Sequence, residues 1–345
     1  MVSVMTLKPD GWNDRIRNSL DGRIPVYSSQ LCRAVGVSQF IRDAGIDLVH
    51  SHFVGAEDLF FSDSRDIPDV AYVATLHGSY ESICQTRRFI LKMARHVSHW
   101  VYLTEKNLDH LKVLDATARD LVSSSTIPNA MPMDARPFGQ TRGELGIDDG
   151  DFVFALVSRA FPAKGWEIAI RALEVAGDRA GRRLVLLLCG SGEEAERLSA
   201  LYGDRPDVRF LGFQERIHGL YRLADCAVLP TRFPGESFPL TIIQALQVGR
   251  PVIATDIGEI ARMVGRGDHA GGMVLPAAQD DETFVSVLAD AMVAMEDPAT
   301  HRRHGEAAAE LGRHYSMDAV ADAYIDCYEA TIRRHAHRSL AELIA

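Results

Sequence analysis

The sequence predicts an α/β protein built from two βα domains, and three observations carry that prediction. Short, near-continuous apolar runs recur along the chain, a helix-length segment separates each from the next, and one stretch rich in proline and glycine interrupts the alternation. Apolar runs of this kind mark strands buried on both faces, the environment of a parallel sheet covered by helices. At 345 residues the chain has room for two domains, each large enough to bury its own core.

In the first part, DLVHSHF, AYVATLHG and HWVYLT read as buried strands; in the second, DFVFALVS, RLVLLLCG, CAVLP and PVIAT do the same. Between them the segment 127–151 holds prolines, glycines and a polar cluster, which makes it the linker. The expected division is 1–132 for the first domain, 133–316 for the second, and 317–345 for a C-terminal helix that packs back toward the first. Two βα domains joined there leave a cleft facing the carboxyl ends of both sheets, where open α/β sheets bind ligands. The first domain begins abruptly, because irregular polar sequence follows VSVMTL where a doubly wound domain carries a glycine-rich turn and a helix. Loss of an edge strand-turn-helix unit and truncation of the N-terminus both account for this, and truncation is the expectation.

Charge and cysteine usage narrow the function classes. With 37 Lys and Arg against 47 Asp and Glu, the formal net charge is −10. That excludes a general nucleic-acid binder, whose affinity comes from cations neutralising phosphates, but not a local cationic seat for a small anion. Cys32, Cys84, Cys189, Cys226 and Cys327 lack C-x-x-C spacing and read as reduced core thiols of a cytoplasmic protein. No apolar stretch approaches the length of a membrane span, and the N-terminus lacks the apolar region of a signal peptide.

Two stretches carry candidate chemistry. In GESFPLTIIQALQVG, Ser237 reads as a helix cap, Pro239 as a first-turn residue and Gly249 as the C′ residue, with Pro251 beyond; a helix over 238–248 follows. Its N-terminus offers unpaired N–H groups and the positive dipole end to an anion. Glu236 taken alone reads as a charge serving that dipole. In SRAFPAKGWEIAI, Arg159 and Lys164 occupy a turn between a buried strand and an amphipathic helix, whose inner face is Trp166, Ala169, Ile170 and Leu173. A forked guanidinium and a point-charge ammonium at such a turn fit a diphosphate, although loop cations taken singly are as often solvated.

Together these motifs resemble the retaining glycosyltransferases of family 4, the group 1 type, whose GT-B fold has two Rossmann-like domains. SRAFPAKG matches the family's R-x4-K-G; FLGFQE ahead of LADCAVLPT, and ESFPLTIIQALQVGRPVIATDIGEI with its E-x7-E helix and following strand, match further parts. DLVHSHF, TLHG and IPNAMPMD resemble the first domain's strand, histidine turn and passage between domains. The resemblance implies a nucleoside-diphosphate sugar donor held mainly by the second domain, with Arg159 and Lys164 neutralising charge on the leaving diphosphate. It implies that Glu236 holds sugar hydroxyls, and that Phe213, Gln214, Ser237, Phe238, Leu240, Thr241 and Gln244 stand at donor-binding positions. His77 is implied to contact the donor sugar and leaving phosphate without acting as a nucleophile, and Tyr80 and Glu81 to line the acceptor side. Transfer would go to an acceptor hydroxyl with retention, with no metal or other cofactor, in polysaccharide or glycolipid assembly.

The chain departs from the family pattern twice. Gln244 stands where the family's second acid grips the nucleotide ribose. An amide accepts from one hydroxyl and donates to another but lacks charge assistance, so weaker nucleotide binding or a different base preference is expected. Pro239 replaces a usual glycine and removes one backbone donor near the phosphates, leaving those of Phe238, Leu240 and Thr241.

Other readings compete. GSGEEA satisfies the dinucleotide fingerprint G-x-G-x-x-[GA], but it lies mid-domain and places Glu193 and Glu194 at the helix N-terminus, where a pyrophosphate needs positive potential. TRRFILKMARH with the following Val97 carries Phe89, Ile90, Met93, Ala94 and Val97 on one helical face, against Arg88, Lys92 and Arg95 on another. It reads either as an ordinary surface helix or as a peripheral contact with an anionic inner membrane face supplying a lipid-linked acceptor. His50 and His52 are expected on opposite sides of their strand, both structural. The expected partners are a nucleotide-sugar donor and a sugar, polysaccharide or lipid-linked acceptor. A nucleotide-sugar epimerase of similar build and a non-catalytic nucleotide-binding relative stay open.

Overall fold

The computed structural model describes residues 4–6, 22, 24–52, 59–61, 68–77, 96–103, 123–277 and 280–344. The chain divides into two compact units, Met1–Ile127 with Asp322–Ala345, and Pro128–Ala321. The first division falls at the proline that opens the linker, ahead of the expected 132/133, and the second falls inside the C-terminal helix instead of at its start.

In unit 1, β1 (Val4–Thr6) pairs in parallel with β2 (Val26–Ser28). α1 (Ser29–Val35) and α2 (Val37–Asp43) follow, with the Ser28 hydroxyl capping α1 by accepting from the Leu31 amide at 3.3 Å. β3 (Leu48–Ser51), β4 (Ala71–Leu76), β5 (His99–Tyr102) and β6 (Ser124–Thr126) form a parallel sheet in sequential order. Every residue of β4 and β5 is buried, the polar Thr75 and His99 along with their apolar and aromatic neighbours. Phe40, Phe61, Tyr72 and Trp100 pack into the core beside this sheet.

Unit 2 alternates strand and helix throughout: β7 (Phe152–Val157), α3 (Trp166–Gly177), β8 (Leu184–Cys189), α4 (Glu193–Tyr202), β9 (Val208–Gly212), α5 (Ile217–Leu223), β10 (Cys226–Leu229), α6 (Leu240–Gln247), β11 (Val252–Thr255), α7 (Ile260–Val264) and β12 (Gly272–Leu275). α8 (Asp281–Glu296) and α9 (Pro298–Arg313) complete it, and α10 (Met317–Ile344) leads back into unit 1. Asp280 and Asp297 cap α8 and α9, accepting from the Thr283 and Thr300 amides at 2.8 Å each. The six strands are parallel and ordered β12-β11-β10-β7-β8-β9. This is the doubly wound order, in which the winding reverses between the first strand and the fourth, here β7 and β10. Trp166, Ala169, Ile170 and Leu173 of α3 are all buried and join Phe284, Leu288 and Met292 of α8 in the core on this sheet. The expected inner face of α3 is therefore the observed one.

Candidate active site

The carboxyl ends of β7 and β10 flank the reversal point of the unit 2 sheet, and the loops leaving them carry the candidate residues. After β7 the chain runs through Arg159 into a short 3-10 turn, Pro162–Lys164, which Gly165 ends at φ +75°. A Cβ on Gly165 would stand 2.2 Å from the Pro230 carbonyl oxygen, so only glycine lets the two loops come this close. The contact is fixed by the Arg232 amide, which donates to the Ala163 carbonyl at 2.7 Å.

That approach brings two distant charges together. Lys164 Nζ donates to Glu236 Oε2, and the side chains are only 11% and 12% exposed. The ammonium also lies 5.6 Å from the centre of the Phe161 ring and 5.1 Å from that of Phe233. Those two rings meet edge to face at 5.3 Å. Arg159 is exposed, with its guanidinium 5.7 Å from the Phe161 ring, and it makes no ion pair among the described residues. One paired and one exposed cation thus share a single aromatic support. On the other side, the Glu259 amide donates to the Ser237 carbonyl at 2.9 Å, which ties the loop after β11 to the Glu236 segment.

The helix behind Glu236 starts later than expected. α6 begins at Leu240, and Pro239 sits in the cap position with extended backbone (φ −64°, ψ 119°) and no side-chain cap. Proline disfavours helical backbone in the residue before it, which keeps Phe238 outside the helix. Ser237 is accordingly not the cap. Phe238 is buried edge-on against Tyr315 at 5.8 Å, so its side chain packs and any part in ligand binding falls to its backbone. Gly249, at φ +67°, ends the helix as expected. Leu240 is exposed, and Thr241 hydrogen-bonds the Tyr221 hydroxyl. Gln244 is 8% exposed, and no hydrogen bond to its amide is present among the described residues.

Phe213 and Gln214 lie at the end of β9, two strands from β7. Phe213 is 65% exposed, while the Gln214 amide donates to the Leu211 carbonyl at 2.7 Å. A cavity of about 510 Å³ opens beside them, lined by Gly190, Ser191, Gly192, Phe210 and Gly212 among others. The glycines of GSGEEA serve this neighbourhood as packing: a Cβ on Gly192 would stand 2.2 Å from the Ala160 carbonyl oxygen, and the Ala160 amide donates to Ser191 at 2.9 Å. Glu194 is buried and paired with Arg197 at 2.8 Å, which fills the helix start with paired charge as the reading against a dinucleotide requires.

In unit 1, His77 follows β4, and His52 Nδ1 lies 2.9 Å from its Nε2. The His50 and His52 rings are 4.2 Å apart, which corrects the expectation of opposite sides. Side chains two apart on a strand share a face. Desolvation, and next the repulsion that charging would create, push His50 down to about 3 and His52 to about 4, although His52 keeps an exposed edge. Tyr80, Glu81 and residues 86–95 lie outside the described residues. Cys32, Cys189, Cys226 and Cys327 are buried free thiols, and burial pushes Cys189 up to about 12. Among the described residues no helix is long and apolar enough to cross a membrane.

Comparison with known proteins decides the family. The family described as glycosyl transferases group 1 matches residues 138–311, half of the chain. The chain belongs to the group 1 glycosyl transferases. This glycosyltransferase is 29% identical over 338 residues to D-inositol 3-phosphate glycosyltransferase of Corynebacterium efficiens, covering 88% of this chain and 77% of that one. It is 28% identical over 307 residues to phosphatidyl-myo-inositol mannosyltransferase of Mycobacterium leprae, covering 85% and 76%. Among solved structures, Anabaena HepE in complex with UDP matches with a TM-score of 0.73 at 19% identity, over 96% of this chain and 100% of that one. Sucrose-phosphate synthase of Thermosynechococcus elongatus matches with a TM-score of 0.67 at 19% identity, over 89% and 77%. The fold of this glycosyltransferase is GT-B, with two Rossmann-like domains.

Proposed function

We propose that the chain transfers a hexose from a nucleoside-diphosphate sugar to an acceptor hydroxyl with retained anomeric configuration and without a metal ion. The observation that carries this reading is the Lys164–Glu236 pair at the carboxyl ends of β7 and β10, with the exposed Arg159 beside it. It supplies cations for a departing diphosphate and a carboxylate for sugar hydroxyls at the one place where a doubly wound sheet opens a crevice.

The anomeric carbon–oxygen bond breaks, and the diphosphate leaves with the electron pair. Arg159 and Lys164 stabilise that charge, assisted by the Leu240 and Thr241 amides in the first turn of α6. The acceptor oxygen bonds to the same face of the anomeric carbon, and its proton passes to the departing phosphate oxygen, so no protein nucleophile is required. Glu236 accepts from sugar hydroxyls, and Gln244 accepts from and donates to the ribose. His77 keeps the role the family resemblance implies, contact with the donor sugar and leaving phosphate. The cavity bordered by Gly190, Gly192 and Gly212 offers space for the nucleoside. Relatives whose names specify inositol 3-phosphate and phosphatidylinositol support a polyol or lipid-linked headgroup as the acceptor to test first. Assembly of a glycolipid or polysaccharide on the cytoplasmic side is the corresponding setting.

The test offers UDP- and GDP-hexoses with inositol phosphates and lipid-linked acceptors, with and without EDTA, and reads the product anomer by NMR. Retained configuration and full rate in EDTA are expected. An inverted product, a rate lost in EDTA and restored by a divalent ion, or an epimerised donor without acceptor overturns the reading.

A further inference from the structure

The proposed chemistry uses Arg159, Lys164 and Glu236 of unit 2 and leaves out the two aromatic rings packed among them. The Glu236 amide donates to the Phe233 carbonyl at 3.0 Å, which closes the turn Phe233–Pro234–Gly235–Glu236 and makes its first and last residues neighbours. Lys164 marks the same adjacency: its ammonium donates to Glu236 Oε2 and lies 5.1 Å from the centre of the Phe233 ring. The ring is held in place. The Phe233 amide donates to the Thr231 hydroxyl oxygen at 3.1 Å, and the Phe161 ring meets that of Phe233 edge to face at 5.3 Å. The tip of the Phe233 ring lies over Gly235, where a Cβ would stand 2.8 Å from both Cε1 and Cζ, so any side chain there would push the ring away. Phe161 and Phe233 are both half-buried, with part of each ring open. Neither falls on a fixed position of the R-x4-K-G or E-x7-E motifs.

A carboxylate and an aromatic surface thus stand side by side. A hexopyranose carries the matching pattern, hydroxyls around its rim and C–H groups on its ring face. The carboxylate accepts from the hydroxyls, and the weakly positive C–H groups suit the negative face of an aromatic ring. We propose that Phe233, supported by Phe161 and Gly235, is a specificity-determining residue that receives the C–H face of the transferred hexose while Glu236 holds its hydroxyls. The inference rests on the reading of Lys164 and Glu236 given under Proposed function. Shielding the ion pair from water is the other task open to these rings. Any apolar side chain of similar size excludes water, and Lys164 serves the diphosphate whether or not a sugar is attached. A flat platform acts on the sugar alone. The two roles therefore part on one quantity, the affinity for a nucleoside-diphosphate sugar relative to that for the bare nucleoside diphosphate.

Calorimetric titration of the full chain measures that ratio for UDP, GDP, ADP and dTDP, each against its hexose conjugate. Phe233→Leu keeps an apolar cover and removes the flat ring. It should lower the ratio roughly 3- to 10-fold, with the bare nucleotide held within about 2-fold of the parent. Phe233→Tyr keeps the ring and should restore the ratio to within about 2-fold of the parent. Gly235→Ala keeps both rings but displaces Phe233 from the loop, and should lower the ratio in the same sense. An unchanged ratio in Phe233→Leu or in Gly235→Ala, equal weakening of both ligands, or a Phe233→Tyr no better than Phe233→Leu overturns the platform. If the parent binds none of the four nucleotides, or Lys164→Met binds them as tightly as the parent does, the reading beneath this one fails. If Lys164→Met weakens them while Phe233→Leu keeps the original ratio, only the platform fails.

Discussion

Replacing Lys164 with methionine keeps most of the apolar stem and removes the charge, leaving Glu236 ionised, 12% exposed and without its cation. Losing one partner of a buried pair costs about 3–5 kcal/mol, and the remaining contact with water places this case near the lower end, about 3 kcal/mol. Unit 2 spans residues 128 to 321. For a domain of that size about 1 kcal/mol moves Tm by about 2–4 °C, so its transition should fall by about 6–12 °C. Adding Glu236→Gln removes the orphaned charge, and the double variant should regain at least half of that loss. Activity should not follow: Lys164→Met should lower kcat about 10²- to 10³-fold, the cost of one preorganised electrostatic contact, and the double variant should be no better. Differential scanning calorimetry and donor turnover on the same samples read the two effects separately. A Tm within 2 °C of the parent, or a double variant no more stable than Lys164→Met, would refute a pair that is coupled and desolvated.

Three further outcomes follow from the same geometry. Gln244→Glu should tighten UDP about 3- to 10-fold in a calorimetric titration, since a charged acceptor strengthens a hydroxyl hydrogen bond by about 1 kcal/mol; looser binding counts against a ribose contact. Gly165→Ala forces a side chain at φ +75° against the Pro230 carbonyl, and should destabilise unit 2 by about 1–3 kcal/mol in urea while lowering donor turnover; an unchanged midpoint would show that the loops are not in contact. Burial lowers His50 to about 3 and His99 to about 4, so each is neutral in the fold at pH values where the unfolded chain binds a proton. The stability they contribute is complete above about pH 6.5 and is lost as the pH falls through that value toward 4, by up to about 1.4 kcal/mol per pH unit for each. Denaturant unfolding of unit 1 at pH 7.5, 6.0 and 5.0 checks the slope, and a flat profile contradicts it.

The strands most legible in the sequence are those buried on both faces, AYVATL and LVLLLC, although DLVHSHF also marks β3, a half-buried edge strand. β9, VRFLG, and β12, GMVL, escaped because they are half-buried edge strands with a mixed pattern. The family motifs located Arg159, Lys164 and Glu236, but no local signal joins Lys164 to a carboxylate 72 positions away. That contact arises because the sheet order sets β7 beside β10, and a glycine lets their loops meet. α6 starts later than the expected 238 because the ring of Pro239 holds Phe238 out of helical backbone, an effect separate from its missing N–H. The histidine cluster was missed through the strand period itself, which places His50 and His52 side by side.

On the proposed function, the bond between Lys164 and Glu236 also bears on how the enzyme distinguishes its donor from its own by-product. A nucleotide sugar offers each member of the pair a new partner at once, an anion for the ammonium and hydroxyls for the carboxylate. A bare nucleoside diphosphate offers only the first, and would strand a largely desolvated carboxylate. Once the sugar has moved on, the carboxylate would reclaim the ammonium and loosen the hold on what is left. On that reading, departure of the sugar itself weakens the grip on the spent nucleotide.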